Sequence, residues 1–474
     1  MLLFDALLSE GLPGGTMTTK KRKHVRIPRD FTRLDIMHPV AAGIDIGSSS
    51  HFVAVSPHLC EESVREFSAL TPDLVSLVGW LKSLDIQSVV MESTGIYWVP
   101  LYEMLEAEGI DVQLVNAHHV RSVPGRKSDV LDCQWLLKLH TFGLLRGSFR
   151  PKAEIVTLRT YLRQRDSLVV SSGVEVQHMQ KALNLMNIKL STVLSDITGK
   201  TGLSIIRAIV DGQHDPAVLA SMRDGRCKAC EQTLVDSLTG NYVPEHLFAL
   251  RQALRLYDTL QALIEECDQE SMKLLSELTE SLPTPAPMPK PKKRGHKQPQ
   301  VDYRTPAAQL LNVDLTAIPG ISEYTAITLL SEIGTDMSRW PTVKKFCAWL
   351  RLAPGSKITG GKVLSSHTLP TTSRAVELLR TAAVNAGRTR TAIGAFYRRM
   401  TLRIDSGRAV VATAHKIARI IYQLISTAQP FQEPGQDAYD AQQRERAMRR
   451  IERQAASLGM ALVPANKSGA AAGC

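Results

Sequence analysis

Ala42-Gly43-Ile44-Asp45-Ile46-Gly47, followed by Phe52 to Ser56 and Ser63 to Phe67, reads as a meander of three short strands separated by polar turns. Each apolar run has strand length and is bounded by turn-forming residues. Beyond it the pattern alternates: a helix is predicted around Asp73 to Leu84, a strand over Ser88 to Met91, a helix over Tyr97 to Glu108, a strand over Val112 to Val115, and a helix from Ser128. Three strands followed by alternating helix and strand predict one α/β domain over residues 41–150.

That element order is the order of an RNase H-like fold. Asp45 ends the first strand at the centre of the expected sheet, and Glu92 ends the strand Val89-Val90-Met91, beside it. Asp129 and Asp132 open the next helix at i and i+3, on one face aimed at the same strand ends. Four converging carboxylates repel one another unless cations neutralise them, and an all-oxygen donor set suits a hard divalent ion better than a transition metal. Mg2+ is the expected cofactor, with Mn2+ as an alternative. Two such ions about 4 Å apart would activate an attacking oxygen and stabilise a leaving one during phosphodiester cleavage. Taken singly, the residues have ordinary readings: Asp45 as a turn residue, Glu92 as a helix cap, Asp129 beside Ser128 as a helix N-terminus where acids are favoured.

Working outward, 474 residues are too many for a single core, and 44% hydrophobic with 22% charged residues describes a soluble globular protein of two or three domains. No apolar stretch is long enough to span a bilayer, and Met1 to Ser9 lack the basic start and cleavage site of a signal peptide. A cytoplasmic protein with no membrane partner is expected. The one close cysteine pair, Cys227 and Cys230, has no second pair at zinc-site spacing, so neither zinc nor a disulfide framework is expected. The net charge of +11 is unevenly placed: Pro341 to Ile420 carries 15 Lys or Arg against two acids, whereas Ala41 to Arg150 carries 8 basic and 13 acidic residues. One region is suited to phosphate, the other to cations.

Residues 1–40, with Lys20, Lys21, Arg22 and Lys23, read as a basic flexible arm in which Met17 is an alternative start. Over 151–282, apolar residues recur at near-helical spacing from Ile155 to about Leu190 and from Leu247 to Leu275. Two long helices around an insert predict an antiparallel coiled-coil arm, ordinarily a spacer or dimerisation element. Residues 283–306, with seven prolines and Lys290, Lys292, Lys293, Arg294 and Lys297, read as a linker. An all-α C-terminal domain is expected over 307–428, then a helix-prone basic tail over 429–474 with Arg444, Arg446, Arg449, Arg450 and Arg453.

Ile318-Pro319-Gly320-Ile321, leading into a helix that ends near Gly334, has the pattern of a helix-hairpin-helix in which Gly320 lets backbone amides approach a DNA phosphate. A purely structural helical hairpin shares the pattern. The stretch from Gly355 to Ser366 sets Ser356, Thr359, Ser365 and Ser366 among glycines and the lysines Lys357 and Lys362. It suits a phosphate-binding loop, or one that carries a nucleophilic hydroxyl. Arg374, Arg380, Arg388, Arg390, Arg398 and Arg399 are expected on helices as nucleic-acid backbone contacts, with Arg126, Lys127, Lys357 and Lys362 as further binding residues.

Gly43-Ile44-Asp45, Met91-Glu92-Ser93-Thr94-Gly95, Lys127-Ser128-Asp129-Val130-Leu131-Asp132, Pro319-Gly320-Ile321 and Thr359-Gly360-Gly361-Lys362-Val363 together resemble the motifs of DEDD transposases. The likeness is to the insertion-sequence one-ten family of bacteria, especially its eleven-eleven branch, over nearly all of 42–427. It implies a RuvC-like nuclease domain with Asp45, Glu92, Asp129 and Asp132 as catalytic metal ligands, a coiled-coil arm, and a C-terminal transposase domain that supplies a serine nucleophile. It also implies a covalent protein–DNA intermediate and a structured guide RNA that pairs with donor and target DNA. Active sites shared between protomers imply a homo-oligomer, a dimer or tetramer on DNA, acting at the bacterial nucleoid. Thr359 stands where relatives usually place serine, so Thr359 is the favoured nucleophile here, with Ser356, Ser365 and Ser366 as alternatives.

Three other activities fit parts of the chain. An actin-like ATPase or sugar kinase also begins on a strand such as Gly43 to Gly47, but the second glycine-rich phosphate loop and an adenosine motif are missing, so no nucleotide cofactor is expected. A junction-resolving RuvC-like endonuclease shares the carboxylates without requiring the arm or the basic C-terminal domain. A non-catalytic nucleic-acid scaffold requires neither metal nor hydroxyl.

Overall fold

The computed structural model describes residues 35–93, 95–116, 128–285, 288–289, 294–295 and 297–463, which fall into two compact units, one up to Arg150 and one from Pro151 onward. Lys20 to Lys23, Arg126, Lys127, Lys290, Lys292 and Lys293 lie outside the described residues. No helix among the described residues is long and apolar enough to cross a membrane.

The first unit is a mixed α/β sheet domain. Its elements are β1 (Ala41–Ile46), β2 (Ser50–Val55), β3 (Val64–Ser68), α1 (Thr71–Ser83), β4 (Ser88–Glu92), α2 (Trp98–Ala107), β5 (Asp111–Val115) and α3 (Asp129–Thr141). The five strands run in the order β3-β2-β1-β4-β5. The β1, β2 and β3 strands form the antiparallel meander, and β4 and β5 add in parallel on the other side of β1. Every element expected from the sequence is present, with ends displaced by a residue or two.

Alternation along the central strands sorts the two faces of the sheet. Ala42, Ile44 and Ile46 of β1 and Val89 and Met91 of β4 pack with Leu74, Leu77 and Leu81 of α1 and Leu101 and Leu105 of α2. The opposite face meets α3: Ala41 lies against Cys133 and Leu137, and Val90 against Leu136. Both faces are covered, which explains why β1 and β4 read as continuous apolar runs. A Cβ on Gly43 would lie 2.4 Å from the Leu137 amide nitrogen and 2.5 Å from the Cys133 carbonyl oxygen, so only glycine lets α3 lie this close to β1.

The second unit begins with the long helix α4 (Ala153–Leu185). Four shorter helices follow, α5 (Leu190–Val193), α6 (Lys200–Val210), α7 (Pro216–Ser221) and α8 (Glu231–Leu238), and then α9 (Pro244–Thr279) returns along α4. The two long helices are antiparallel, with Arg165 facing Asp268 and the Gln261 amide donating to Ser172 Oγ at 2.8 Å. The short helices between them share an apolar cluster with their inner ends, centred on Met186, Ile205, Leu234 and Leu250.

Asp268 accepts from Arg165 Nε at 2.6 Å and from the Tyr303 hydroxyl at 2.7 Å, in surroundings where Tyr303 is fully buried. Asp268→Ala strands the Arg165 charge away from water and should cost about 3–5 kcal/mol. A fall in denaturant midpoint of that size checks it. A loss below about 1 kcal/mol would mean that water reaches Arg165.

Tyr303 also corrects the extent of the linker. Helix α10 (Arg304–Leu311) starts inside the stretch expected to be linker, and Arg304 bonds Asp314 at 2.6 Å and the Pro289 carbonyl at 2.6 Å. Because its aromatic and guanidinium groups find buried partners, this end of the segment joins the core. A 3-10 turn at Leu315–Ala317 leads to α11 (Glu323–Ile333) and α12 (Val343–Trp349). The expected all-α domain then contains a two-stranded ribbon, β6 (Lys357–Thr359) and β7 (Lys362–Ser365). It closes with α13 (Arg374–Gly387), α14 (Ala392–Thr401), α15 (Ser406–Thr427) and the tail helix α16 (Gly435–Ser457).

The tail helix packs on α14 through Tyr439, which joins Ala392, Ala395 and Phe396. Lys416 of α15 is buried beside this contact, its Nζ 4.4 Å from the Phe396 ring and 5.9 Å from that of Tyr439. Burial, aided by Arg419 and Arg446 and opposed by Glu433, brings its pKa down from 10.5 to about 7. The folded state therefore binds fewer protons than the unfolded chain between these values, and stability rises with pH across that window. Lys416→Met should raise Tm most at pH 7 and below, with the gain shrinking as pH approaches 10.5. Thermal melts at pH 6.5 and 10 check this; an equal gain at both would contradict it.

Candidate active site

The carboxylates come together because β1 ends where α3 begins. Asp45 is the fifth residue of β1, on the strand face that α3 covers. Ser128 caps α3, its Oγ accepting from the Leu131 amide at 3.3 Å. The cap role is thereby filled, and Asp129 and Asp132 occupy the first turn, where the helix dipole favours negative charge. Oxygens of Asp45, Asp129 and Asp132 lie within 4.8 Å of one another, with Asp45 and Asp132 half-buried and Asp129 exposed.

Glu92 ends β4 one position beyond Met91, which pairs with Ile44, so it is the register neighbour of Asp45. It stands outside the close trio. Three of the four expected carboxylates thus form one group, with the fourth at the adjacent strand end. The donor set is oxygen only and open to water on the Asp129 side, as a hydrated divalent cation requires. Cys133, one turn into α3, is no competing ligand: burial, reinforced by the Asp45 carboxylate, pushes its thiol up to about 12. Behind the site, His140 at the far end of α3 is buried against Ser88, 3.0 Å from its Oγ, and burial brings its pKa down to about 4. It is a neutral structural group.

In the second unit, the stretch from Gly355 to Ser366 is a β-hairpin, where a phosphate loop was one expectation. Gly360 and Gly361 have φ of +55° and +79°, the two positive values that a type I′ turn requires. Their glycines are explained by the turn. Thr359 pairs with Lys362, Ile358 with Val363, and Lys357 with Ser365. Pairing and alternation put Thr359 and Lys362 on one face, with Lys357, and Ile358 and Val363 on the other, and a register shift between Lys357 and Ile358 interrupts the alternation before Ser365. Ser356, Thr359 and Ser366 are exposed and Ser365 is half-buried, so all four candidate hydroxyls are open to a substrate.

Residues 42–188 match a family model for DEDD transposases of the IS110 type, described as a transposase. Residues 313–398 match one described as the Transposase IS116/IS110/IS902 family. The chain carries IS110-family transposase domains. No curated protein matches it. The first match contains Asp45, Glu92, Asp129 and Asp132, and the second contains Thr359 and the hairpin. Such transposases bind DNA and use divalent metal, and the carboxylate trio is where a metal fits.

Within the IS110-type C-terminal domain, several expected phosphate contacts have partners in the chain itself. Arg374 donates to Asp166 at 2.9 Å. Arg398 donates to the Gly387 and Thr389 carbonyls at 2.8 Å each and to Gln436 at 2.9 Å, and Arg399 bonds Gln443. Arg380 keeps its Nε buried. A Cβ on Gly320 would sit 2.2 Å from the Ala382 carbonyl, so the close approach this glycine permits is to α13. Lys357, Lys362 and Arg388 are exposed. Sequence reasoning missed the internal partners because a helix-borne arginine looks the same whether it meets a phosphate or a carbonyl.

Proposed function

We propose that the chain is a DNA transposase of the RNA-guided, eleven-eleven type, in which an RNase H-like, RuvC-like domain and the β6–β7 hairpin act on the same DNA. The convergence of Asp45, Asp129 and Asp132 at a strand end and a capped helix start is the observation that carries the metal-dependent nuclease part of this reading. With Glu92 beside them, these residues would hold Mg2+, or Mn2+ in its place. When bound, such ions neutralise charge at a reacting phosphodiester and activate an oxygen nucleophile.

The hydroxyl of Thr359 is the nucleophile in this account, with Ser356, Ser365 and Ser366 as alternatives. Its Oγ forms a bond to phosphorus, the bond from phosphorus to the leaving deoxyribose oxygen breaks, and the hydroxyl proton passes by way of solvent to that oxygen. Lys357 and Lys362, on the same face, stabilise charge on the phosphate. Lys357, Lys362 and Arg388 meet the nucleic-acid backbone, as do Arg126 and Lys127. The paired long helices serve as a coiled-coil arm in a homo-oligomer assembled on donor and target DNA at the nucleoid, guided by an element-encoded RNA.

Glu92→Gln should abolish DNA cleavage while DNA and RNA binding persist, since it removes one charge and leaves the fold intact. Unchanged cleavage would remove the nuclease reading and favour a scaffold. Sequencing the RNA that co-purifies with the protein tests guidance, and recovery of no discrete element-derived species would contradict it.

A further inference from the structure

We infer that Asp166, on the arm helix α4, is the positioning residue of the hydroxyl-bearing hairpin, through Tyr324 and Arg374. This deepens the reading in which a hydroxyl between Ser356 and Ser366 attacks DNA, and it rests on that reading for its catalytic consequence.

The hairpin strands are almost wholly exposed, so their placement is decided at the base. There, the Gly355 amide donates to the His367 carbonyl at 2.9 Å, and Pro354 bridges Thr368. Arg351 Nη1 donates to the Pro370 carbonyl at 2.6 Å. Four residues later Arg374, the first residue of α13, donates through Nη2 to Asp166 Oδ2 at 2.9 Å. The other oxygen of Asp166 accepts from the Tyr324 hydroxyl at 2.6 Å. One carboxylate therefore ties the exit of the hairpin segment, the helix α11 and the arm together, with its orientation fixed by a donor on each oxygen.

The arm provides a firm anchor. Arg159, Arg163 and Asp166 lie at i, i+4 and i+7 on α4, and all three engage the C-terminal helices. Arg159 Nε donates to the Ser331 carbonyl at 2.9 Å, and Arg163 makes two bonds to Glu332 at 3.0 and 2.8 Å. The Arg165 guanidinium lies 4.6 Å from the centre of the Tyr324 ring. The Asp166–Arg374 pair itself is partly open to solvent, where ion pairs contribute little to stability. Its worth is geometric. Six or so extended residues separate the base from the turn, about 20 Å. A rotation of roughly 10° at the base moves the tip by about 3.5 Å, and a misplacement of about 1 Å can cost a hundredfold in rate.

Asp166→Asn leaves one acceptor where two donors compete. With full-length protein and a donor DNA duplex, the rate of covalent protein–DNA adduct formation should fall about 10- to 100-fold. DNA affinity and Tm should stay close to wild type, and Arg374→Gln should reproduce the loss without adding to it in the double variant. Spin labels carried by encoded side chains at Val170, exposed on α4, and Lys362 should show a broadened distance distribution in Asp166→Asn. An adduct rate within twofold of wild type with an unchanged distribution would overturn the inference, as would a loss that merely tracks a fall in Tm. Thr359→Ala separates the two ideas: if neither it nor wild type yields an adduct, the nucleophile reading fails, and the label distances alone decide whether Asp166 holds the hairpin.

Discussion

Asp45→Asn should leave a folded protein that no longer cuts DNA, with cleavage reduced at least about 1,000-fold, equivalent to roughly 4 kcal/mol of barrier. Asp45 is the member of the trio supplied by the sheet, while Asp129 and Asp132 both come from α3, so its loss removes the trio's sheet ligand and leaves only two carboxylates from one helix turn, with Glu92 outside the close group. The amide keeps the shape and one acceptor oxygen but loses the charge. In the absence of metal the same substitution should leave Tm close to the wild-type value, because the amide keeps the shape of the side chain. Loss of activity with apo stability retained distinguishes a functional cluster from a structural one. A residue kept for folding would lose both together.

Gly43→Ala should be severely destabilising, by about 3 kcal/mol or more, although it adds a single methyl group. The methyl would meet backbone atoms of α3 at 2.4 and 2.5 Å, and backbone cannot swing aside as a side chain can. Either the helix separates from β1, carrying Asp129 and Asp132 away from Asp45, or the domain unfolds. Denaturant midpoints together with metal-dependent cleavage check it, and a variant with wild-type stability and cleavage would show that α3 does not sit on β1 in this way.

The sequence made the first unit legible because its signals are local and concordant. Short apolar runs, polar turns and a capping serine before Asp129 each report one element, and the element order constrains the sheet. Asp45, Asp129 and Asp132 could be brought together from strand ends and an i, i+3 spacing alone. The close packing behind Gly43 was not legible, since a glycine in a strand can equally mark a turn or a bulge.

The second unit was harder to read for three physical reasons. Tyr303 and Arg304 sit in a proline- and lysine-rich stretch whose composition suggests linker, and only their distant partners Asp268 and Asp314 pull them into the core. Gly360 and Gly361 fit a phosphate loop as well as a tight turn, and the choice depends on whether the flanking residues pair. Arg374, Arg398 and Arg399 carried the charge expected of a DNA surface, but their hydrogen bonds run to Asp166, main-chain carbonyls and glutamines that sequence spacing does not reveal.

Titration of the full-length protein with Mn2+, followed by paramagnetic resonance, reads the cation site without any need for DNA, RNA or turnover. Specific binding that is lost in Asp45→Asn and in Asp129→Asn/Asp132→Asn, while Asp268→Asn retains it, is the result expected from the geometry. Binding that persists in those variants, or none in the wild type, would contradict a metal-dependent centre at the end of β1.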